Sequence, residues 1–354
     1  MIWKLIVATI LFMGILMLVS SFDKGFFNVI QGGAAIAVSM GDHIELVVTQ
    51  RTPVSQNGST EIYALDKDAT LAKYKSFEGA PMCVTSFAGR LFLGFVDDGV
   101  SIFKNGQWER GVTSPPGLTI YDVAPIGDKV YAFGPVSDAR KVGVRVLGET
   151  GWEEAAQPLD TGKKNLIVTC VDVAGGIDVL YGTGAVGYLG GVDVGKFEWF
   201  HVRFDGKEWG TAKPLDLAGQ TLPQMSSYKG EPVFVFTPGK KDEPVRIAAL
   251  DNGKLRTLAD ISVAAIGVPS SGWLVALGDE EHLILSTIGA VWDVRLDKNL
   301  KFVDSKRLIA VSSASRARTS VYVGLFAVVA VVLVSLGIAW FLVRLRGVRG
   351  GEEG

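Results

Sequence analysis

Asp205-Gly206-Lys207-Glu208-Trp209 is a short polar turn that ends on a large apolar residue, and the chain repeats this device six times. The other copies are Asp66-Lys67-Asp68-Ala69-Thr70-Leu71, Asn105-Gly106-Gln107-Trp108, Glu149-Thr150-Gly151-Trp152, Asp251-Asn252-Gly253-Lys254-Leu255 and Asp297-Lys298-Asn299-Leu300. Their terminal apolar residues fall 37, 44, 57, 46 and 45 positions apart. A period of that size marks an architecture built from repeated units.

A second device alternates with the first. It is a glycine-containing tight turn that leads into an apolar or β-branched run: Gly41-Asp42, Gly89-Arg90, Gly127-Asp128, Gly175-Gly176, Gly230-Glu231 and Ser271-Gly272. Each reads as a hairpin turn feeding a strand. A short run of small and β-branched residues stands before each turn: Ala34–Val38, Met82–Ser86, Ile120–Ala124, Leu166–Val171, Leu222–Ser226 and Val263–Ile266. Alternating strands such as Trp199–Phe204 and Val245–Leu250 precede the polar turns. One unit is therefore four antiparallel strands. Within 30–310 glycines interrupt every candidate helix.

Six such units at this period predict an all-β, six-bladed β-propeller over 30–312, with five or seven blades as neighbouring solutions and a β-sandwich as the rival fold. Small residues suit first strands crowded around a central channel, and a bulky residue at each outer turn suits a wedge between blades. The turn-Gly-Trp element resembles the outer hairpin of kelch-like repeats, or an Asp-box. The paired glycines of kelch are not regular here, and Trp292-Asp293 is a single, misplaced Trp-Asp dipeptide. The resemblance implies a fold and a binding platform, and it names no activity.

Both ends of the chain are apolar. Lys4 is followed by an uncharged run from Leu5 to Val19, with Ser21 beyond it. Residues 1–21 read as a signal peptide or as an uncleaved membrane anchor. Val321–Val343 carries no charge over 23 residues. As a helix it would be ~34 Å long, so 320–343 is expected to cross a bilayer. Arg316 and Arg318 flank it on one side and Arg344, Arg346 and Arg349 on the other. The expected topology puts the propeller outside the cytoplasm and 344–354 inside as a short tail.

With 35 Lys+Arg against 37 Asp+Glu, the chain has no basic field to hold a polyanion, and nucleic acid is not an expected partner. Cys83 and Cys170 lie two units apart in apolar runs and read as free buried thiols. Gly182-Thr183-Gly184-Ala185-Val186-Gly187 has dinucleotide-loop spacing, but the following Tyr188–Gly195 is too glycine-rich to open a helix. His43, His201 and His282 fall in different units and read as strand-surface residues. No metal-ligand spacing and no cofactor motif is found. Asn57-Gly58-Ser59 is a glycosylation sequon and also an ordinary turn.

The expected function is a membrane-held, extracytoplasmic module that binds or scaffolds a protein or glycan through loops on one propeller face. Those loops are Arg51–Ser59, Val96–Gly99, Pro135–Lys141, Gly182–Lys196 and Pro238–Glu243, with Arg51, Asp97, Asp98, Arg140, Tyr188, Asp242 and Glu243 as contact residues. One alternative is a carbohydrate-active propeller enzyme, glycosidase or lyase-like, using carboxylates drawn from Asp97, Asp98, Asp242, Glu243, Glu280 and Glu281. Another is a subunit of a larger membrane complex.

Overall fold

The computed structural model describes residues 34–310, apart from 53–54, 96–97, 116, 138–139, 163–165, 184–197, 218–222, 241, 252 and 288–289. The segments expected to be a signal or anchor (1–21), a membrane span (320–343) and a tail (344–354) lie outside the described residues. Among the described residues every regular element is a strand, and no helix is long and apolar enough to cross a membrane.

Twenty-four strands form six four-stranded sheets. Blade 1 holds β1 (Ala34–Ser39), β2 (Ile44–Thr52), β3 (Ser55–Leu65) and β4 (Leu71–Glu78). Blade 2 holds β5 (Cys83–Phe87), β6 (Arg90–Phe95), β7 (Gly99–Lys104) and β8 (Gln107–Val112). Blade 3 holds β9 (Asp122–Ile126), β10 (Lys129–Pro135), β11 (Lys141–Leu147) and β12 (Trp152–Asp160). Blade 4 holds β13 (Leu166–Val173), β14 (Gly176–Thr183), β15 (Glu198–Phe204) and β16 (Lys213–Leu215). Blade 5 holds β17 (Gln224–Tyr228), β18 (Glu231–Phe236), β19 (Val245–Asp251) and β20 (Lys254–Ile261). Blade 6 holds β21 (Pro269–Leu277), β22 (Glu280–Thr287), β23 (Ala290–Leu296) and β24 (Phe302–Ala310). Strand order follows chain order inside every sheet, so each blade is one uninterrupted segment. The propeller is compact over Gly33–Gln50 and Asn57–Val311. A second unit, Met1–Gly32 with Arg51–Gln56 and Ser312–Gly354, falls mostly outside the described residues.

The two sequence devices occupy fixed places. The glycine turns join the first and second strands, and their Gly41, Gly89, Gly127, Gly175, Gly230 and Gly278 all have positive φ. The polar turns join the third and fourth strands. In three of them one aspartate Oδ1 accepts two backbone N–H groups: Asp66 from Asp68 and Thr70, Asp205 from Lys207 and Glu208, Asp297 from Asn299 and Lys301. These Asx-type bonds close the turn locally and fix where the fourth strand begins.

Blade 6 departs from the sequence expectation. Its hairpin turn is Gly278-Asp279, not Ser271-Gly272, and its first strand is Pro269–Leu277 rather than Val263–Ile266. Val263–Gly267 is a turn closed by N–H groups of Ile266 and Gly267 on the Val263 carbonyl. Gly272 is needed for room. A Cβ there would stand 2.9 Å from Leu285 and 3.1 Å from Val235. Glycine at a close packing contact and glycine in a turn look alike in sequence.

The core is divided into six apolar clusters, one at each blade–blade junction. Phe133, Val144, Val179 and Phe204 fill the junction of blades 3 and 4, with Trp209 against them. Ala35, Leu46, Val275 and Ile284 fill the junction of blades 6 and 1, with Leu71 against them. Trp152, Leu255 and Leu300 pack in the same way between their own blade and the one before. Trp108 meets Phe77 of blade 1 and Phe103 of its own blade edge-on, both at 5.1 Å. Each buried phenylalanine or leucine contributes roughly 1.5–3 kcal/mol, and only a neighbouring blade supplies that burial.

Candidate functional site: the axial cavity

The six first strands stand side by side around the axis, β1 beside β5 and β21. Their small side chains let them approach, and a cavity of about 390 Å³ remains between them. That volume is at the lower end of the range for small-ligand pockets, about 300–1,000 Å³. Hairpin residues Lys229 and Gly230 line it, with Ser39, Ser86, Asp172 and Ser227 just inside. The cavity therefore lies at the hairpin end of the ring.

Asp122, the first residue of β9, ties blade 3 to blade 4. Its Oδ2 accepts the Cys170 N–H at 2.7 Å and the Thr169 hydroxyl at 3.0 Å, and its Oδ1 accepts the Val123 N–H at 2.9 Å. Burial outweighs these bonds and pushes the carboxyl up to about 6. Burial also raises Asp172 and Glu281, the latter against the pull of His282 and Lys229. Glu281 Oε2 is buried and has no hydrogen-bond partner. Lys229 holds positive φ at the hairpin and lays its ammonium 4.7 Å over the Tyr228 ring. Thr85, Ser227 and the Trp273 indole complete the polar and aromatic lining.

Part of that polarity holds the ring together. Ser86 Oγ donates to the Ser39 carbonyl at 2.7 Å, and the Leu274 N–H donates to Ser226 Oγ at 3.1 Å. Cys83 and Cys170 are free and buried, as expected from their two-blade separation. Burial pushes both thiols well up, and the Asp122 charge adds to it.

Two of the histidines are not surface residues: His282 is buried and His201 half-buried, each paired with an aspartate, whereas His43 is part-exposed beside the first hairpin turn with Asp42 and Glu45 against its ring. His201 Nε2 lies 2.6 Å from Asp178 Oδ1 across β15 and β14. His282 is 3% exposed and its Nδ1 lies 2.9 Å from Asp293 Oδ1. Asp178 and His282 take the same place, third after the hairpin turn on the second strand, facing Arg203 and Arg295 across the ladder. Acid and imidazole have exchanged strands between blades 4 and 6. Among the described residues no group of three or more His, Cys, Asp or Glu side chains is placed to hold a metal ion.

The residues nominated from sequence lie elsewhere. Asp98 (between β6 and β7), Arg140 (between β10 and β11), Asp242 and Glu243 (between β18 and β19) are all exposed. All three segments join second strands to third strands, so the fold gathers them at the end opposite the hairpins. Arg51 is in β2 with its side chain outside the described residues; Asp97 and Tyr188 also fall outside them. Glu281, proposed as a loop carboxylate, is instead on β22 and reaches the cavity. Asp122, Asp172 and Lys229 were not singled out in the sequence. The available signal was an aspartate inside or just after a first-strand run of small apolar residues.

No protein-family sequence model and no curated protein matches the chain. Solved structures match it in shape. The fungal lectin of Aleuria aurantia, described as a six-bladed β-propeller with a novel fucose recognition mode, superposes with a TM-score of 0.53 at 12% identity, covering 79% of this chain and 96% of the lectin. The same lectin as a mutant in complex with Fucalpha1-6GlcNAc gives 0.52 at 11% identity over the same shares. SapL1 lectin in complex with alpha methyl fucoside gives 0.49 at 13% identity, covering 80% and 98%. What the chain shares with the Aleuria aurantia lectin is the six-bladed β-propeller fold.

Proposed function

We propose that this protein is a membrane-anchored, extracytoplasmic propeller that binds a glycan or a glycan-bearing protein, with the axial cavity as its principal site. The observation that carries the reading is the convergence of hydroxyls (Thr85, Ser227), carboxyls (Asp172, Glu281) and the Trp273 ring in one cavity of about 390 Å³. Sugars offer many hydroxyls and an apolar ring face, and this lining can address both. The fucose recognition of the Aleuria aurantia lectin agrees with that chemistry. The uncharged runs Leu5–Val19 and Val321–Val343 support anchoring and export. The aspartate-closed outer turns support the Asp-box-like likeness. The connector loops carrying Arg51, Asp98, Arg140, Asp242 and Glu243 are the second candidate contact surface.

A glycan array probed with the full chain in mild detergent tests the reading. Binding lost in Trp273→Ala and Asp172→Asn, and kept in Asp242→Asn, is the expected result. Binding lost only in the connector variant moves the site to that face, and no binding to any glycan rejects the glycan reading.

One observation favours a carbohydrate-active enzyme as the second reading. Three carboxyls with raised pKa share the cavity, and such groups serve as general acids. Asp122, however, commits Oδ2 to Thr169 and Cys170 of blade 4 and Oδ1 to the N–H of its own neighbour Val123. Turnover of an oligosaccharide by the wild type that is abolished in Glu281→Gln would establish it.

A further inference from the structure

Strand register sorts the lining of the axial cavity by depth. The last hairpin pairs are Val173 with Gly176 in blade 4, Tyr228 with Glu231 in blade 5 and Leu277 with Glu280 in blade 6. Asp172, Ser227 and Ala276 each stand one residue before such a pair and form the rim. Glu281 pairs with Ala276, which puts it in the same rim layer. Asp122 stands four residues before the last pair of blade 3, Ile126 with Lys129, and Trp273 stands four before Leu277. At the rise of a strand this second layer lies ~10 Å deeper. Blades 3 and 6 are opposite in a ring of six, so the positions of Asp122 and Trp273 lie across the axis from each other. Trp273 is the one aromatic residue among those that line the cavity.

The lining is unevenly charged. It holds three carboxyls, of Asp122, Asp172 and Glu281, and one ammonium, of Lys229. Asp122 is engaged by Val123, Thr169 and Cys170. Among the described residues none of Asp172, Glu281 and Lys229 is in an ion pair. The Lys229 ammonium lies instead 4.7 Å over the Tyr228 ring. That ring is pinned by its hydroxyl, which donates to the Lys298 carbonyl at 2.7 Å in the outer turn of blade 6. The one cation of the lining is thereby drawn to an aromatic face and away from direct contact with the rim carboxyls. Asp172 and Glu281, on the two blades that flank blade 5, keep no direct counter-charge. A recess with apolar walls concentrates the field of such groups.

Resting on the glycan reading above, we infer that the axial cavity selects a short oligosaccharide that carries free, protonated amines. One sugar ring lies against Trp273, and the ammonium of a following ring meets Asp172 and Glu281 at the rim. The ammonium supplies the charge that Lys229 withholds, and its N–H groups make charge-assisted bonds to carboxylates. N-acetylation removes that charge and leaves the ring, so it separates the contribution of the ammonium from that of stacking. A uronate brings a third carboxylate to the rim and is repelled.

The test measures binding of the full chain in mild detergent to five probes: the trisaccharides of glucosamine and of galactosamine, their two N-acetylated counterparts, and trigalacturonate. At least one amine form should bind about tenfold more tightly than its N-acetylated counterpart, the difference between a hydrogen bond to a charged group and a neutral one. Trigalacturonate should bind weakest. Glu281→Gln should bring the ratio of amine to N-acetyl affinity toward one, and Lys229→Met should raise it. The Lys229 side chain is exposed, so that variant carries the test if Glu281→Gln folds poorly. Equal affinity for the amine and N-acetyl forms, or strongest binding of trigalacturonate, overturns the inference and leaves the glycan reading standing. So does binding confined to array sugars outside these five. A ratio that moves in neither variant overturns the placement of the ammonium. No binding to any sugar, here or on the array, rejects the glycan reading and this inference with it.

Discussion

Ser286 Oγ accepts the backbone N–H of Ala35 at 2.8 Å, across 251 positions of sequence. This bond closes the ring. Among the described residues no strand from one end of the chain enters a blade from the other end, and blades 6 and 1 meet through side-chain packing and bonds of this kind. In a quasi-linear array the two outer faces would stay exposed; here each is the other's partner.

Ser286→Ala should cost roughly 1–3 kcal/mol, because it leaves a buried N–H without an acceptor. Urea unfolding of the full chain in mild detergent should show a lower midpoint with an unchanged slope. An unchanged midpoint would mean that Ser286 contributes nothing to closure.

The Asp122 carboxyl, pushed up from the usual 3.8 to about 6, makes stability fall as pH rises. Between about pH 4 and pH 6 the folded chain binds a proton there that the unfolded chain has already lost. Stabilisation is thus complete below about pH 4 and gone above about pH 6. At about 1.4 kcal/mol per pH unit the difference is roughly 3 kcal/mol. Asp172 and Glu281 slope the same way and remain in the variant. Unfolding midpoints at a series of pH values should therefore fall less steeply for Asp122→Asn than for wild type, and parallel curves would refute the assignment.

Trp209 bridges blades 3 and 4. Its ring meets Phe204 at 5.0 Å and Phe133 at 6.0 Å, and its Nε1 donates to the Gln157 carbonyl at 3.0 Å. Trp209→Ala should cost about 3–5 kcal/mol. Trp108→Ala should cost less, since that side chain is 41% exposed. Thermal unfolding of the two variants side by side checks the order.

Gly134 in β10 has no room for a side chain. A Cβ would stand 1.8 Å from the Thr119 carbonyl oxygen. Gly134→Ala should destabilise by about 3 kcal/mol or more, since backbone must move to admit the methyl. Gly239→Ala meets nothing within 4 Å and should be near neutral. Both are read from the midpoint of chemical unfolding.

Cys83 and Cys170 should resist a water-soluble thiol reagent in the folded chain and react once it is unfolded. Both are buried and burial holds them protonated. Rapid labelling of the native chain would show that these first strands open.

Much of the fold was legible in the chain itself. Blade count, four strands per blade and the place of both turn types follow from local chemistry. A hairpin needs a positive-φ residue where the strands reverse, and in three of the outer turns an aspartate closes the turn on its own backbone. The reading slipped in blade 6, where Gly272 makes room for Leu285 and Gly278 makes the turn. Only contacts made at a distance tell the two apart.

The functional site was less legible. Loops look functional because they are polar, and the sequence pointed to the connectors. The ring instead brings Thr85, Asp122, Asp172, Ser227, Lys229, Trp273 and Glu281 from separate blades to one cavity at the opposite end. Each of these residues is unremarkable in its own segment, and most sit a blade or more from the next in sequence. Local pattern determined that this chain would make six sheets with polar side chains among the small residues of their inner edges. Closure alone decided which of those groups face one another, because only packing between distant segments removes the water that would otherwise separate them.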